Sequence, residues 1–327
     1  MSDLIIAGDD HTRDEEPFLS VKEQYFDWFA SQSFNNENNY FVHVGDFFHR
    51  KKPSPKENAL AINFFSKLKF KKMYMLVGNG LHEYNRSKDC YAVDPLQELP
   101  NMEIIYEPQV IHIKDLKCLF LPSIPDGKFD NLKMSEYYEK YLINLIGKSE
   151  TDYDYTFGHF FHKNGFGEEI SLDMLNTKIR MGHYHIPTDD LEYVGINTIT
   201  RKDEAGIKPT LNIVNLETKK EGLIPIPIFL DYYSVTYPDD IKFDSTYSLL
   251  TVHNAPDEDT IVKKYIKKNV FLHEWFKEKI IVDSETDTED TVIKTNSISD
   301  YLKQYFKVKK TPTNIVTKLK ELIGVEE

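Results

Sequence analysis

The stretch YFVHVGDFFHR, residues 40 to 50, carries an apolar run into Gly45 and Asp46 and then presents His49 three positions later. The same plan recurs at LIIAGDDH (4–11), MYMLVGN (73–79), YTFGH (155–159) and KIRMGHYH (178–185). Short apolar runs closed by glycine read as strands. At the carboxyl ends of strands in an open α/β sheet lies the crevice where ligands bind, and glycine there lets the backbone turn tightly. These strand ends therefore gather Asp9, His11, Asp46, His49, Asn79, His159, His183 and His185 as candidate site residues.

The segments between the runs support layered α/β architecture. SVKE suggests a helix start, with Ser20 and Glu23 as a capping box and Val21, Tyr25, Trp28 and Phe29 at helical spacing. SPKE suggests another, with Ser54 as N-cap, Pro55 in the first turn and Glu57 closing the box, followed by Ala61, Phe64, Phe65 and Leu68 on one face. MSEYYEKYLINLIG (134–147) places Met134, Tyr138, Tyr141, Leu142 and Leu145 on one side. VIHI, CLFLP and LNIV complete the expected strands.

After IPIPIF the pattern changes to strand, strand, helix, strand: DYYSVTY, YSLLTVH, DEDTIVKKYIKK and KIIVD. This reads as a second, smaller α/β unit. Its helix carries Lys263, Lys264, Lys267 and Lys268, either a phosphate-contacting patch or a solvated face. DSETDTED (283–290) reads as an acidic linker. Beyond it, Ile298, Tyr301, Leu302 and Tyr305 mark one short amphipathic helix, and Ile315, Leu319, Leu322 and Ile323 a second, suited to docking on this chain or on a partner.

With 327 residues and 40% hydrophobic content, the chain can bury a large core plus a smaller one. The two cysteines, Cys90 and Cys118, form no CxxC pair, which fits a reducing, cytoplasmic compartment. Neither a secretion signal nor a membrane span is read from the sequence. A formal net charge of −13 argues against nonspecific nucleic-acid binding by the whole surface, while leaving room for a local basic groove.

The donor types define the chemistry. Carboxylate and amide oxygens mixed with imidazoles suit Mn²⁺, Fe²⁺ or Zn²⁺ rather than Ca²⁺. In D-x-H and H-x-H, an extended backbone would place both side chains on one face, within reach of one centre. No GxSxG elbow, GxxxxGK[ST] loop or GxGxxG follows any strand. Each glycine-polar pair alone is an ordinary turn; five in order are a pattern.

That ordered set, D-x-H, GD, GN, GH and GHxH, resembles the calcineurin-like metallophosphoesterase family over roughly residues 3 to 215. The resemblance implies an α/β two-sheet sandwich flanked by helices, with one divalent ion held by Asp9, His11, Asp46 and His185. A second would be held by Asp46, Asn79, His159 and His183, both ions expected to be Mn²⁺. GDFFHRKKPSP, GHFFHKNGF and GHYHIP are similar to the SbcD-like group, nuclease subunits of the double-strand-break repair nuclease–ATPase complex, especially its phage versions.

This resemblance implies a Mn²⁺-dependent DNA exonuclease and endonuclease, with His49 assisting catalysis. It also implies an SbcC-like coiled-coil ABC-type ATPase partner, a homodimer within a heterotetramer, and action in the cytoplasm, that of a bacterial host if the chain is phage-encoded. The expected domains are a phosphoesterase core (1–225), a capping domain (226–283), an acidic linker (284–295) and an ATPase-binding helical pair (296–327).

One motif departs from the family, which places a histidine directly after the asparagine and an acidic residue after that. Here the sequence is LVGNGLHEYNR (76–86). Without a gap, Gly80 replaces the histidine and the catalytic acid is lost; with two residues inserted, His82 and Glu83 take the roles. A longer loop beside Asn79 should disturb it, which favours the ungapped alignment. On that alignment the chain is a naturally divergent nuclease or one whose catalytic histidine was substituted, with metal binding intact; the alternative to a nuclease is a metal-bound, catalytically silent scaffold of the same complex. The motifs alone also permit a calcineurin-like phosphatase.

Overall fold

A computed structural model describes residues 2–126, 128, 132–162, 170–188, 190–267 and 269–277. The elements in chain order are β1 (Asp3–Ala7), α1 (Phe18–Ser31), β2 (Tyr40–His43), α2 (Pro55–Ser66), β3 (Lys72–Leu76), β4 (Tyr84–Asn85), β5 (Cys90–Tyr91), β6 (Met102–Ile105), β7 (Gln109–Ile113), β8 (Leu116–Leu121), α3 (Met134–Gly147), β9 (Asp152–His159) and β10 (Asn176–Gly182). There follow β11 (Thr210–Asn215), β12 (Glu221–Pro225), β13 (Leu230–Thr236), β14 (Tyr247–Ala255), α4 (Glu258–Tyr265) and β15 (Val270–Lys277). Among the described residues, no helix is long and apolar enough to cross a membrane.

Two sheets face each other. One has the order β12-β11-β1-β2-β3-β6, with β1, β2, β3 and β6 parallel; the other has β10-β9-β8-β7, with β10, β9 and β8 parallel. Strand alternation divides the side chains between two cores. Leu4, Ile6, Tyr74 and Leu76 meet Phe120, Tyr155 and Phe157 of the other sheet. Ile5, Ala7, Met73 and Met75 point the other way, into an aromatic layer under α1 and α2 that includes Phe26, Phe29, Phe64 and Phe65. Phe26 and Phe64 stack with ring centroids 4.0 Å apart, tying the two helices together. On the outer face of the second sheet, α3 buries Tyr138, Leu142 and Leu145.

The register aligns the parallel strands so that their carboxyl ends emerge at one edge. Ala7 sits opposite His43 and His159 opposite Gly182, which puts the glycine-polar motifs side by side. A third sheet, β13-β14-β15, is fully parallel. Its own core joins Leu250 and Val252 to Ile261 and Tyr265 of α4, and Leu230 and Leu249 rest against Val21 of α1.

One local expectation needs correction. The first helix begins at Phe18 with Pro17 as cap and no side-chain cap bond, and Ser20 instead donates to Glu16, so Ser20 and Glu23 form no box. The last described strand of the third sheet is VFLHEWFK, which carried no strand signal in the sequence; KIIVD (279–283) lies outside the described residues. Short pieces at β4, β5, β6 and β12 carry too few residues to show a period. The acidic linker, the helical pair (Ile298, Tyr301, Leu302, Tyr305, Ile315, Leu319, Leu322, Ile323) and Lys268 lie outside the described residues.

The second expected cap is present in full. Ser54 Oγ accepts from Glu57 N at 3.2 Å and the Glu57 carboxylate accepts from Ser54 N. Ser54→Ala should cost about 1 kcal/mol of stability. Urea unfolding would check this, and an unchanged midpoint would contradict the cap assignment.

Candidate metal centre

Five loops deliver the candidate residues to the aligned strand ends. Backbone bonds lace the first two together: Asp9 N donates to Gly45 O at 3.1 Å, His11 N to Asp46 O at 3.0 Å and Thr12 N to Phe47 O at 2.8 Å. His183 N donates to both Asp9 carboxylate oxygens, at 3.0 and 3.1 Å, which brings in the end of β10. Asp9, His11, Asp46 and His183 all hold left-handed backbone, with φ of 52°, 45°, 53° and 78°. Such strain persists where neighbouring structure over-determines it.

The side chains gather into adjoining groups. Asp9, His11 and His185 bring ligand atoms within 4.8 Å of one another, as do Asp46, His159 and His183. The groups touch: His159 Nε2 is 3.1 Å and His11 Nε2 3.9 Å from Asp46 Oδ2. The sequence-level idea that each extended D-x-H or H-x-H pair serves one centre holds for Asp9 and His11 only in outcome, since their backbone is left-handed. It fails for His183 and His185, because the left-handed turn at His183 sends the two rings to different groups.

A third group was not foreseen as a unit: His11, His49 and His82 also converge within 4.8 Å. The His82 ring lies 4.7 Å from His11 and 5.4 Å from His49, and its Nδ1 bonds the His49 carbonyl at 2.7 Å. Gly80 points elsewhere. A Cβ built on it would meet Pro125 at 3.6 Å, so the expectation that Gly80 leaves the site without a histidine is corrected: His82 comes in from two residues later.

Asn79 is placed directly beside Asp46. Its N and Nδ2 donate to Asp46 Oδ1 and Oδ2 at 2.8 and 2.7 Å. Its Oδ1 accepts from Leu81 N at 2.8 Å and His82 N at 3.3 Å. The amide oxygen thus caps its own turn while the amide nitrogen and backbone N–H hold the Asp46 carboxylate. Gly78 has no room for a side chain, since a Cβ would stand 2.1 Å from Asp46 Oδ1.

Glu83 is fully buried and accepts from Phe47 N (2.7 Å), Phe48 N (3.3 Å) and Gly78 N (2.5 Å). It stitches the GD and GN loops. Burial, with Asp46 nearby, pushes its carboxyl up to about 7 against the pull of those donors. Glu204, Arg201 and Asn197 carried no motif signal, yet Glu204 faces His185 Nδ1, Arg201 bonds Glu204 at 3.1 Å and Asn197 holds Gly8 O at 2.8 Å. They come from a turn-rich segment with no periodicity to mark it.

The donor set suits divalent cations. His159 Nδ1 bonds Val44 O at 2.7 Å and His185 Nδ1 faces Glu204, so Nε2 is the ring atom that each turns toward the groups. His11 Nε2 and His185 Nε2 face each other at 2.9 Å, and the buried His11 Nδ1 has no hydrogen-bond partner. Burial drives His11 down and takes His183 and His49 down to about 4, so these rings are neutral donors near pH 7. Burial alone would lower His159 too, but the Asp46 carboxylate holds it up at about 9. Two fully buried carboxylates, Asp9 and Asp46, need positive charge beside them.

The groups open into a cleft of about 520 Å³, lined also by Phe161, Tyr184, Ile186, Thr200 and Asp203. Of the lysines expected to contact phosphate, Lys263 and Lys267 are exposed, while Lys264 is paired with Asp240 at 2.8 Å.

No family model and no curated protein sequence matches the chain. Among solved structures, one described as a novel archaeal phosphodiesterase aligns with a TM-score of 0.36 and 16% identity, covering 68% of this chain and 99% of that one. A protein of unknown function from Aquifex aeolicus aligns with a TM-score of 0.32 and 12% identity, covering 54% and 88%.

Glu83→Ala should leave three buried N–H groups unpaired at about 1–3 kcal/mol each, a loss of at least about 3 kcal/mol. A chemical-denaturation midpoint equal to that of the parent chain would refute the stitching role.

Proposed function

We propose that the chain is a metal-dependent phosphodiesterase of the calcineurin-like type, acting on DNA as a nuclease. The observation that carries this is the junction of the Asp9/His11/His185 and Asp46/His159/His183 groups at Asp46, with His49 and His82 alongside in an open cleft. Two divalent cations held there supply Lewis-acid activation of water and neutralise charge on phosphoryl oxygens.

The chain's own residues do the rest. Asp46 is fixed from three sides by Asn79, His159 and the Gly78 backbone, which leaves it little freedom to reorient during turnover. His82 donates Nδ1–H to the His49 carbonyl, so in its doubly protonated form the free Nε2–H can face a leaving oxygen and donate to it. Phe161 and Tyr184 line the same cleft and give an organic ester group an aromatic surface.

A DNA substrate, Mn²⁺ as the ion and an SbcC-like ATPase as partner belong to the same proposal. They are supported by the GDFFHRKKPSP and GHYHIP motifs and by the helical spacing at 298–305 and 315–323. With a net charge of −13, the chain alone should bind duplex DNA weakly, the partner supplying positive surface.

With Mn²⁺ the protein should hydrolyse bis(p-nitrophenyl) phosphate but not the monoester, and should shorten linear DNA. Asp46→Ala should abolish both activities, and full activity without metal would refute the proposal. His82→Ala should lower kcat by roughly 10²- to 10⁴-fold with metal still bound. Gly80→His should bring no gain; a large gain would mean that the acid is missing from the parent chain after all.

A further inference from the structure

Asp10 stands between Asp9 and His11 in sequence, yet its carboxylate faces away from the cleft into the protein. There it meets Lys22 of α1 and His43 at the end of β2: Lys22 Nζ donates to Oδ1 at 2.8 Å and His43 Nε2 to Oδ2 at 2.9 Å. All three side chains are 3% exposed or less. With its proton on Nε2, His43 accepts from Gly45 N at Nδ1, at 3.3 Å. Gly45 O in turn accepts from Asp9 N, so the chain of contacts closes on itself: Asp10 side chain, His43, Gly45, Asp9 backbone.

Stability alone is a poor reason for this arrangement. A buried ion pair recovers little beyond its desolvation cost, and well-packed apolar replacements are often neutral. The loop it holds is the strained one, with Asp9 and His11 at φ 52° and 45°, and the ring passes through Gly45, the residue before Asp46. Backbone bonds fix how far apart the two loops lie. The side-chain ring fixes how each is rotated, because it ties the one residue of D-x-H that faces inward to the strand that leads into Asp46.

We propose that Lys22, Asp10 and His43 are positioning residues that set the orientation of Asp9 and His11 relative to Asp46, and thereby the pairing of two divalent cations. The proposal rests on the dinuclear-metal assignment above. None of the three touches the cleft, so their effect passes entirely through the loops they hold. His43 also packs between Phe41 and Phe47, with ring centroids at 6.3 and 5.5 Å, so phenylalanine can replace it in shape while removing both of its hydrogen bonds.

The test uses the full chain, the double variant Asp10→Asn/Lys22→Met, which removes both charges together, and the single variant His43→Phe. Mn²⁺ alone is the probe, read by calorimetric titration and by electron paramagnetic resonance, with melting temperature recorded for each protein. The parent chain should bind two Mn²⁺ and show a spin-coupled spectrum. Both variants should remain folded, bind Mn²⁺ roughly 10- to 100-fold more weakly and give an uncoupled signal. If one variant fails to fold, the other carries the test. Variants that melt lower yet keep the parent's affinity and coupled spectrum would reduce the triad to a stabilising role and overturn the proposal. A parent chain that binds no Mn²⁺ pair would instead overturn the dinuclear assignment, and the proposal with it.

Discussion

Burial of the Asp46 carboxylate is the constraint on which the rest of the site depends. A charge 1% exposed must be met from all sides, and it is: two donors of Asn79, the His159 ring, and His11 at longer range. Each of those groups comes from a different strand end. Meeting them requires parallel strands in register, loops that turn at once, and glycine where any side chain would strike Asp46 or His159, as at Gly78 and Gly182. The sandwich, the left-handed turns and the glycine-polar motifs are consequences of placing one carboxylate where five loops can reach it.

The part of the fold that was legible in the sequence is the part this constraint writes most heavily. Apolar runs ending in Gly-Asp, Gly-Asn or Gly-His marked the strands that carry the site, and Ser54 with Glu57 marked α2. Where local chemistry is ambiguous, the sequence misleads: Ser20 and Glu23 match a capping box, but the chain enters the helix three residues earlier through Pro17 and the serine turns back to Glu16. VFLHEWFK mixes charged and aromatic residues without a clean alternation, and its register with Leu249 and Leu250 of β14 is what identifies it as a strand.

The same distinction runs through the site. Residues that would touch a metal are typed by their chemistry and spaced by the strands, so Asp9, His11, Asp46, His159, His183 and His185 could be named in advance. Those that hold them are typed by nothing. Glu204 and Asn197 sit in a segment without periodicity, and the roles of Asp10, Lys22 and His43 depend on a helix packing against a strand end, which no short window of sequence contains.

The turn after Asn79 shows how Gly80 and Leu81 stand between Asn79 and the next histidine without displacing either. Disturbance of Asn79 was the ground for preferring the ungapped alignment, which would be sound if the extra residues had to be accommodated by moving it. They are not, because the turn is built on Asn79 itself: its Oδ1 takes Leu81 N, and its carbonyl takes His82 N and Glu83 N, both at 3.0 Å. Asn79 acts as its own cap and Leu81 turns outward, 77% exposed. Glu83 then fastens the far end to Gly78, Phe47 and Phe48, so the loop is closed on both sides of the insertion. The loop between these two fixed points has room to turn without moving either, and the residue it brings round to His11 and His49 is His82.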